Sequence, residues 1–273
     1  MPELPEVETV RRRLVPHLTG RTLAEVDVFD HRLTDPEPQA AVAARLTGTR
    51  IERLGRRGKY LVIELDDGAA LTVHLRMTGN LLWLPSPPEA APPFLRARAL
   101  LDDGSYLAYT DIRRFGTWRV AEDGVDALLA GKLGPEPLGD WAAGDLERAL
   151  AGRKAPVKAA LLDQRVVAGV GNIYADEALY SARIHPAAPA GRLSRARVVR
   201  LHDAVRAALQ AGIDAQGASI RDFRTPDGGY GSAQERFAAY GRGGEPCERC
   251  GTPLRRTVIA QRGTTYCPRC QRF

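Results

Sequence analysis

Lysine is nearly missing from this chain. Four occur, Lys59, Lys132, Lys154 and Lys158, against 35 arginines in 273 residues. A guanidinium stays protonated in proteins, whereas an ammonium can be tuned to give and take a proton. A lysine retained in so arginine-biased a chain is therefore a candidate for chemistry, although Lys132, beside glycines in a loop-like stretch, also reads as a solvated surface residue. Methionine is scarcer still, at Met1 and Met77 only. No apolar run approaches the ~18 residues of a membrane span. The N-terminus also lacks a basic start followed by an apolar stretch. These absences exclude a membrane-spanning helix and a secretory leader, and they imply an unexported, cytoplasmic protein. Cysteine is absent from the first 246 residues.

Hydrophobic residues make up 44% of the chain, enough at this length for two domains and a small appendage. The net charge is +6 and the pI about 9.3, which raises the expectation of a polyanionic partner. From Gly241 to Phe273 seven arginines face two glutamates, so the C-terminal end is the basic one. All four cysteines fall there, as CERC (Cys247, Cys250) and CPRC (Cys267, Cys270) separated by sixteen residues. That spacing fits two knuckles of a tetrahedral four-thiolate zinc site joined by a hairpin. Disulfides suit a cytoplasmic chain less well. One zinc ion held by four thiolates has no open coordination position, so its role is structural.

From Thr22 to Ala121 the pattern is one of short strands, with Asp-Gly turns at 67–68, 103–104 and 123–124. The alternation predicts an antiparallel β-sandwich or barrel. A proline-rich stretch, PSPPEAAPPF, interrupts the strands as a surface loop. GKLGPEPLGDW, residues 131–141, reads as a linker. After it, DLERALAGR, PVKAALLDQ, NIYADEALYSA and RARVVRLHDAVRAALQAGIDAQG carry apolar residues at helical spacing. VVAGVGN joins the second of these to the third as a helix-turn-helix variant. Its helix N-terminus would expose backbone amides to a phosphate, or else it is a tight corner in a core.

The first six residues, MPELPE, pose a question of their own. Pro5, Glu6 and Glu8 suit the first turn of a helix, and Arg11, Arg12 and Arg13 lie further along, where the helix dipole favours cations. Pro2 and Glu3 are left over.

Six stretches answer it together: PELPEVETVRR, GKYL around Lys59, HLRMTG at 74–79, DIRRFG at 111–116, VAGVGNIYADE at 167–177 and the terminal CxxC…QRGTTYCPRC. In this order they resemble the bacterial formamidopyrimidine-DNA glycosylases, which excise 8-oxoguanine and ring-opened purines. The resemblance runs from Pro2 to Cys270. It implies an α+β multidomain fold: an N-terminal antiparallel β-sandwich with an N-terminal helix, a C-terminal helical helix-two-turn-helix domain, and a four-cysteine zinc-finger hairpin. The expected boundaries are 2–130 for the catalytic sandwich, 131–141 for the linker, 142–240 for the helical DNA-binding domain and 241–273 for the zinc finger. The expected partner is double-stranded DNA containing oxidised bases, met by a monomer with no nucleotide cofactor.

The resemblance also assigns roles. Removal of Met1 frees the secondary amine of Pro2 as the nucleophile. An α-amino group titrates near pH 8, well below lysine, so part of it is neutral at physiological pH. Glu3 matches the residue that moves protons at the sugar. Lys59 matches the lysine of the β-elimination stage, and Arg262 the arginine of the δ-elimination stage, where a guanidinium serves first as a phosphate clamp. Glu6 either supports the site or serves the helix dipole. His74, Arg153, Lys158, Asn172 and Tyr240 match DNA contacts. Met77, Arg113 and Phe115 match the trio that fills the hole left by the flipped nucleotide. SIRDFRTPDGGYG, at 219–231, corresponds to a mobile lid over that base. One departure is visible. Counting back nineteen residues from Arg113, where the family carries a DNA-contacting histidine, lands on Phe94, so that contact is either lost or replaced by Arg96 or Arg98. Two other readings stand beside this one: an endonuclease VIII-like glycosylase for oxidised pyrimidines, and a non-catalytic zinc-ribbon DNA-binding protein.

Overall fold

The computed structural model describes residues 1–273. The chain divides into two compact units, one made of Met1–Ala130 with Ala215–Ser232, the other of Gly131–Asp214 with Ala233–Phe273.

The first unit begins with α1 (Leu4–Leu18). Its apolar residues Val7, Val10, Leu14 and Leu18 recur at helical spacing and all face the core. Eight strands follow: β1 (Leu23–Val28), β2 (Ile51–Arg57), β3 (Tyr60–Leu65), β4 (Ala70–His74), β5 (Gly79–Leu84), β6 (Leu95–Leu101), β7 (Tyr106–Asp111) and β8 (Thr117–Ala121). They form two antiparallel sheets of order β1-β6-β7-β5 and β2-β3-β4-β8. Side chains of both sheets, among them Val26, Leu81, Ala99 and Tyr109 from one and Leu61, Ile63, Val73 and Trp118 from the other, share one core with α1. That is a β-sandwich with the helix packed on β2 and β3. The run of strands is broken where the sequence pattern predicts continuity: α2 (His31–Thr34) and α3 (Gln39–Leu46) sit between β1 and β2. The proline-rich stretch does form the connection between β5 and β6.

The second unit carries α5 (Ala143–Leu150), α6 (Val157–Leu162), α7 (Asn172–Ser181) and α8 (Arg195–Asp214), after a short α4 (Val125–Leu129) that still belongs to the first. It ends in a two-stranded hairpin, β9 (Arg255–Ile259) and β10 (Arg262–Tyr266).

Two boundaries differ from the sequence reading. Residues 131–141 are not a free linker: Trp141 is buried, and its carbonyl oxygen lies 2.9 Å from His202 Nε2 of α8. Arg206 of the same helix donates to the carbonyls of Pro137 and Gly139. Residues 215–232, placed by sequence in the helical domain, instead pack with the sandwich, because the backbone there is bonded to β5 and α1. Trp83 N–H donates to Pro226 O (2.8 Å), Asn80 Nδ2 to Asp222 O (3.0 Å), and Ala218 N–H to Glu6 Oε1 (2.8 Å).

Candidate active site

The first residues of the chain form part of the interior. Pro2 is buried, Glu3 is 1% exposed and caps α1, and Met1 remains 43% exposed outside them. The backbone N–H of Glu3 donates to Glu6 Oε2 at 2.8 Å, one half of a capping box. The other oxygen of Glu6 holds Ala218, so one carboxylate fixes both the start of the helix and the segment that returns to it. Glu6 is itself 1% exposed. With its oxygens on the N–H groups of Glu3 and Ala218, Glu6 supports the Pro2–Glu3 backbone and is turned away from solvent, the first of its two readings.

Lys59 follows the β2–β3 turn at Gly58, where φ is +57°, a conformation that glycine adopts without a Cβ penalty. It is 6% exposed. His74, at the end of β4, pairs in register with Tyr60 and meets its ring edge-on at 4.6 Å. Burial, with the charges of Arg76 and Lys59 behind it, pushes His74 down to about 3. The imidazole is thus neutral at physiological pH. Its Nδ1 accepts the N–H of Arg76 at 3.0 Å, which leaves the proton on Nε2 as a donor.

Met77, Arg113 and Phe115 lie in two loops held by one group. The carboxylate of Asp111, 1% exposed, accepts from the Thr78 hydroxyl and from the backbone N–H groups of Arg113 (3.1 Å), Phe115 (2.9 Å) and Gly116 (2.8 Å). Arg113 and Phe115 project outward, and the guanidinium stands 4.8 Å over the ring. Met77 is half-buried, beside Arg76 at φ +53°, and Arg114 between the other two sits at φ +59°. Left-handed backbone at bulky residues is uncommon and clusters where structure holds side chains for a purpose. Gly116 cannot be another residue here, since a Cβ would lie 1.6 Å from the Tyr109 hydroxyl.

The second unit presents a separate group of residues. Arg262 is exposed and follows a two-residue turn, Ala260 and Gln261, with φ of +49° and +59°, the mirror-image turn that matches strand twist. Asn172, at the first position of α7, donates through Nδ2 to the carbonyl of Gly263 at 3.0 Å. Lys158 donates to the same carbonyl (3.0 Å) and to Thr264 Oγ1 (2.8 Å), and pairs with Asp176 at 2.6 Å. It is fully buried. Lys158 is therefore not a phosphate contact: a charge this deep with these acceptors ties α6 and α7 to the strand that begins at Arg262. Burial raises Asp176 to about 6 against the pull of Lys158 and the Thr265 N–H. Arg153 is half-exposed and shared between the Ala149 carbonyl and Asp163. Tyr240, also half-exposed, has its N–H on Glu177, whose two oxygens together accept the N–H groups of residues 238–240. The turn VVAGVGN is mostly interior, with the N–H groups of Ala168 and Gly169 bonded to Pro135 O and Gln164 Oε1. It reads as the core corner, with Asn172 as its outward edge.

The sulfurs of Cys247, Cys250, Cys267 and Cys270 lie within 4.8 Å of one another, with cross-knuckle separations of 4.0 Å (Cys247–Cys270) and 3.6 Å (Cys250–Cys267). A tetrahedron with Zn–S of 2.3 Å puts sulfurs about 3.8 Å apart, so the four thiols fit one zinc ion. The Tyr180 hydroxyl lies 3.2 Å from Cys247 Sγ, an outer contact that orients the ligand.

Three family models match the chain in order: the formamidopyrimidine-DNA glycosylase N-terminal domain over residues 1–118, its H2TH domain over 133–224, and the zinc finger found in FPG and IleRS over 244–272. The formamidopyrimidine-DNA glycosylase of Heliobacterium modesticaldum is 47% identical, with all of both chains covered. The chain belongs to the formamidopyrimidine-DNA glycosylase family. Among solved structures, a mutant FPG of Lactococcus lactis in complex with Fapy-dG-containing DNA superposes with a TM-score of 0.92 at 35% identity over all of both chains. The MutM (FPG) protein of Thermus thermophilus gives 0.88 at 43%, covering 99% of this chain and 98% of that one. The four cysteines are accordingly the ligand set of the family's structural zinc.

Within this family member, the site residues that sequence reasoning missed are the carboxylates that hold others: Asp111 under the Arg113–Phe115 loop, and Asp176 and Glu177 behind Lys158 and Tyr240. Only position in a motif could have pointed to them. Both arginines offered as substitutes at the Phe94 departure have partners within the sandwich. Arg98 is engaged by Asp27 (2.6 Å) and Glu25 (2.8 Å). Arg96 donates to the Asp111 carbonyl at 2.9 Å. Phe94 itself is exposed at φ +60°, and its carbonyl accepts the Asp111 N–H.

Proposed function

We propose that this protein is a bifunctional DNA glycosylase and AP lyase that removes oxidised purines, 8-oxoguanine and formamidopyrimidines, from duplex DNA in base-excision repair. The observation that carries the reading is the burial of Pro2 and Glu3 at the very start of a helix whose first turn is fixed by Glu6, in a chain of this family. The same helix packs on the two strands joined at Lys59.

Once Met1 is removed, the amine of Pro2 attacks C1′ of the damaged nucleotide and the base departs. The imine of a secondary amine is cationic, which makes the neighbouring sugar proton acidic and lets the strand's phosphates leave by β- and then δ-elimination. Glu3 protonates the ring oxygen and later carries protons during elimination. Lys59 serves the β-stage. Arg262, exposed at the head of its strand, clamps a phosphate for the δ-stage. Met77 and Phe115 fill the space left by the flipped nucleotide, and Arg113 hydrogen-bonds the orphaned base. His74 donates through Nε2, and Asn172, Arg153 and Tyr240 supply the remaining contacts. The zinc, when bound, holds the basic hairpin together and takes no part in the reaction. The protein acts as a monomer in the cytosol.

Borohydride reduction of protein processed to begin at Pro2, in the presence of an 8-oxoguanine duplex and followed by mapping of the cross-link, tests this. An adduct on Pro2 is expected. No adduct would end the covalent mechanism, and an adduct on Lys59 would reassign the nucleophile. A dihydrothymine duplex cleaved faster than the 8-oxoguanine duplex would move the protein to the pyrimidine branch.

A further inference from the structure

Glu8 sits on α1, 7% exposed, and carries more partners than a helix-start acid needs. Its Oε1 accepts from Arg11 Nη2 (2.7 Å) and Arg12 Nε (2.8 Å), and its Oε2 from Arg11 Nε (3.0 Å) and Arg56 Nε (3.2 Å). Burial opposes the charge, and the hydrogen bonds of Arg11 and Arg12 with the charges of Arg11 and Arg56 overcome it, holding the carboxyl at about 2. Arg11 and Arg12, in the next turn of the same helix, would satisfy the carboxylate alone.

The Arg56 contact is the one that leaves the helix. Arg56 lies near the end of β2 with its side chain 11% exposed. Its Nη1 donates to the carbonyl of Gly58 at 3.1 Å, so one guanidinium grips Glu8 with Nε and the β2–β3 turn with Nη1. The next residue is Lys59. Gly58 sits at φ +57° and has no side chain to fix the turn. Arg11 adds a second stitch, Nη1 to Leu54 O at 3.4 Å, one face of the same strand.

We infer that Glu8, acting through Arg56 and the Gly58 carbonyl, is a positioning residue that holds the turn bearing Lys59 against α1, the helix that begins just after Pro2 and Glu3. The inference rests on the reading of Lys59 as a participant in strand cleavage. The pair sets geometry, so it acts on elimination at the sugar more than on capture of DNA.

The experiment compares Glu8→Gln, Arg56→Lys and Lys59→Met proteins, each with Met1 removed, on two substrates, an 8-oxoguanine duplex and a duplex with a preformed abasic site, under single-turnover conditions. Binding to a tetrahydrofuran-containing duplex and thermal midpoints are measured alongside. Arg56→Lys keeps the charge but loses the fork that spans Glu8 and the turn. Cleavage of the abasic duplex is expected to fall about tenfold in Glu8→Gln and in Arg56→Lys, since misplacement by an ångström can cost more than that. Affinity for the tetrahydrofuran duplex is expected to stay at the wild-type level, and Lys59→Met to show the larger loss in cleavage. Cleavage and affinity falling together, in step with the folded fraction, would reduce Glu8 to a stabilising residue and overturn the inference. Wild-type cleavage in Arg56→Lys would overturn it as well. If Lys59→Met cleaves like wild type, the role given to Lys59 fails and this inference with it. Loss in Lys59→Met with none in the other two refutes the inference alone.

Discussion

The carboxylate of Asp111 serves four donors with two oxygens, so an Asp111→Asn substitution turns one acceptor into a donor facing backbone N–H groups. Each group left unsatisfied costs about 1–3 kcal/mol. The expected result is a loosened Arg113–Phe115 loop, seen as weaker binding to a tetrahydrofuran duplex, with Pro2 trapping by borohydride retained. A second residue-scale prediction concerns His74. Its folded value, about 3, lies below the ordinary 6.5, so between these the unfolded chain binds the extra proton. Its contribution to stability is present above pH 6.5 and is lost as the pH falls toward 3, each unit of difference being ~1.4 kcal/mol. A His74→Asn variant, which keeps an acceptor for the Arg76 N–H, should show a flatter acid limb in denaturant titrations. Residue identity was legible in the sequence wherever a motif carried it. The direction a side chain takes was not: Lys158 and Glu6 look like surface charges in a linear string, and only through-space partners, Asp176 and Ala218, show them to be interior.

At the scale of elements, the buried Lys158–Asp176 pair joins α6, α7 and β10. Removing one partner alone leaves an uncompensated buried charge, so Lys158→Met should cost roughly 3–5 kcal/mol in chemical denaturation of the zinc-loaded chain. Lys158→Met combined with Asp176→Leu should recover part of that loss, because the charge is gone although the Thr265 N–H loses its acceptor. A double variant no more stable than the single one would mean that the hydrogen bonds to Gly263, Thr264 and Thr265 matter more than the charge. The helices α5 to α8 are readable from apolar spacing, as the three-to-four pattern demands. Strand β5 is not, since GNLLWL has neither alternation nor β-branched residues. Helices α2 and α3 escape for the opposite reason: they are short, and the strands on both sides set the expectation.

For the whole molecule, the chain order and the spatial order part company at residues 215–232, which lie late in sequence yet belong to the N-terminal unit. The signal for that return is a backbone bond to Trp83 and the grip of the Glu6 and Asn80 side chains on the segment's main chain, and pairings so distant in sequence leave no trace in composition. The hairpin at the C-terminal end is the reverse case, written openly in two CxxC pairs. Its own buried cluster is small: Tyr180, Ala239, Cys247, Leu254 and Cys267. Two of those five are metal ligands, so apolar burial alone cannot hold the hairpin, and metal binding supplies folding free energy. The sandwich, by contrast, owns a cluster of more than twenty buried side chains that includes none of the cysteines. Chelation of zinc should therefore melt residues 244–272 first, and with them the setting of Arg262. The expected readings are about one zinc released per chain, a sharp loss of affinity for a tetrahydrofuran duplex, and a retained cooperative β-sheet transition in far-ultraviolet circular dichroism. Cys267→Ser should reproduce all three without chelator. A single transition in which the sandwich unfolds together with metal loss would show that the hairpin supports the whole chain. Undiminished affinity in the metal-free protein would show that the hairpin and Arg262 are dispensable for holding DNA.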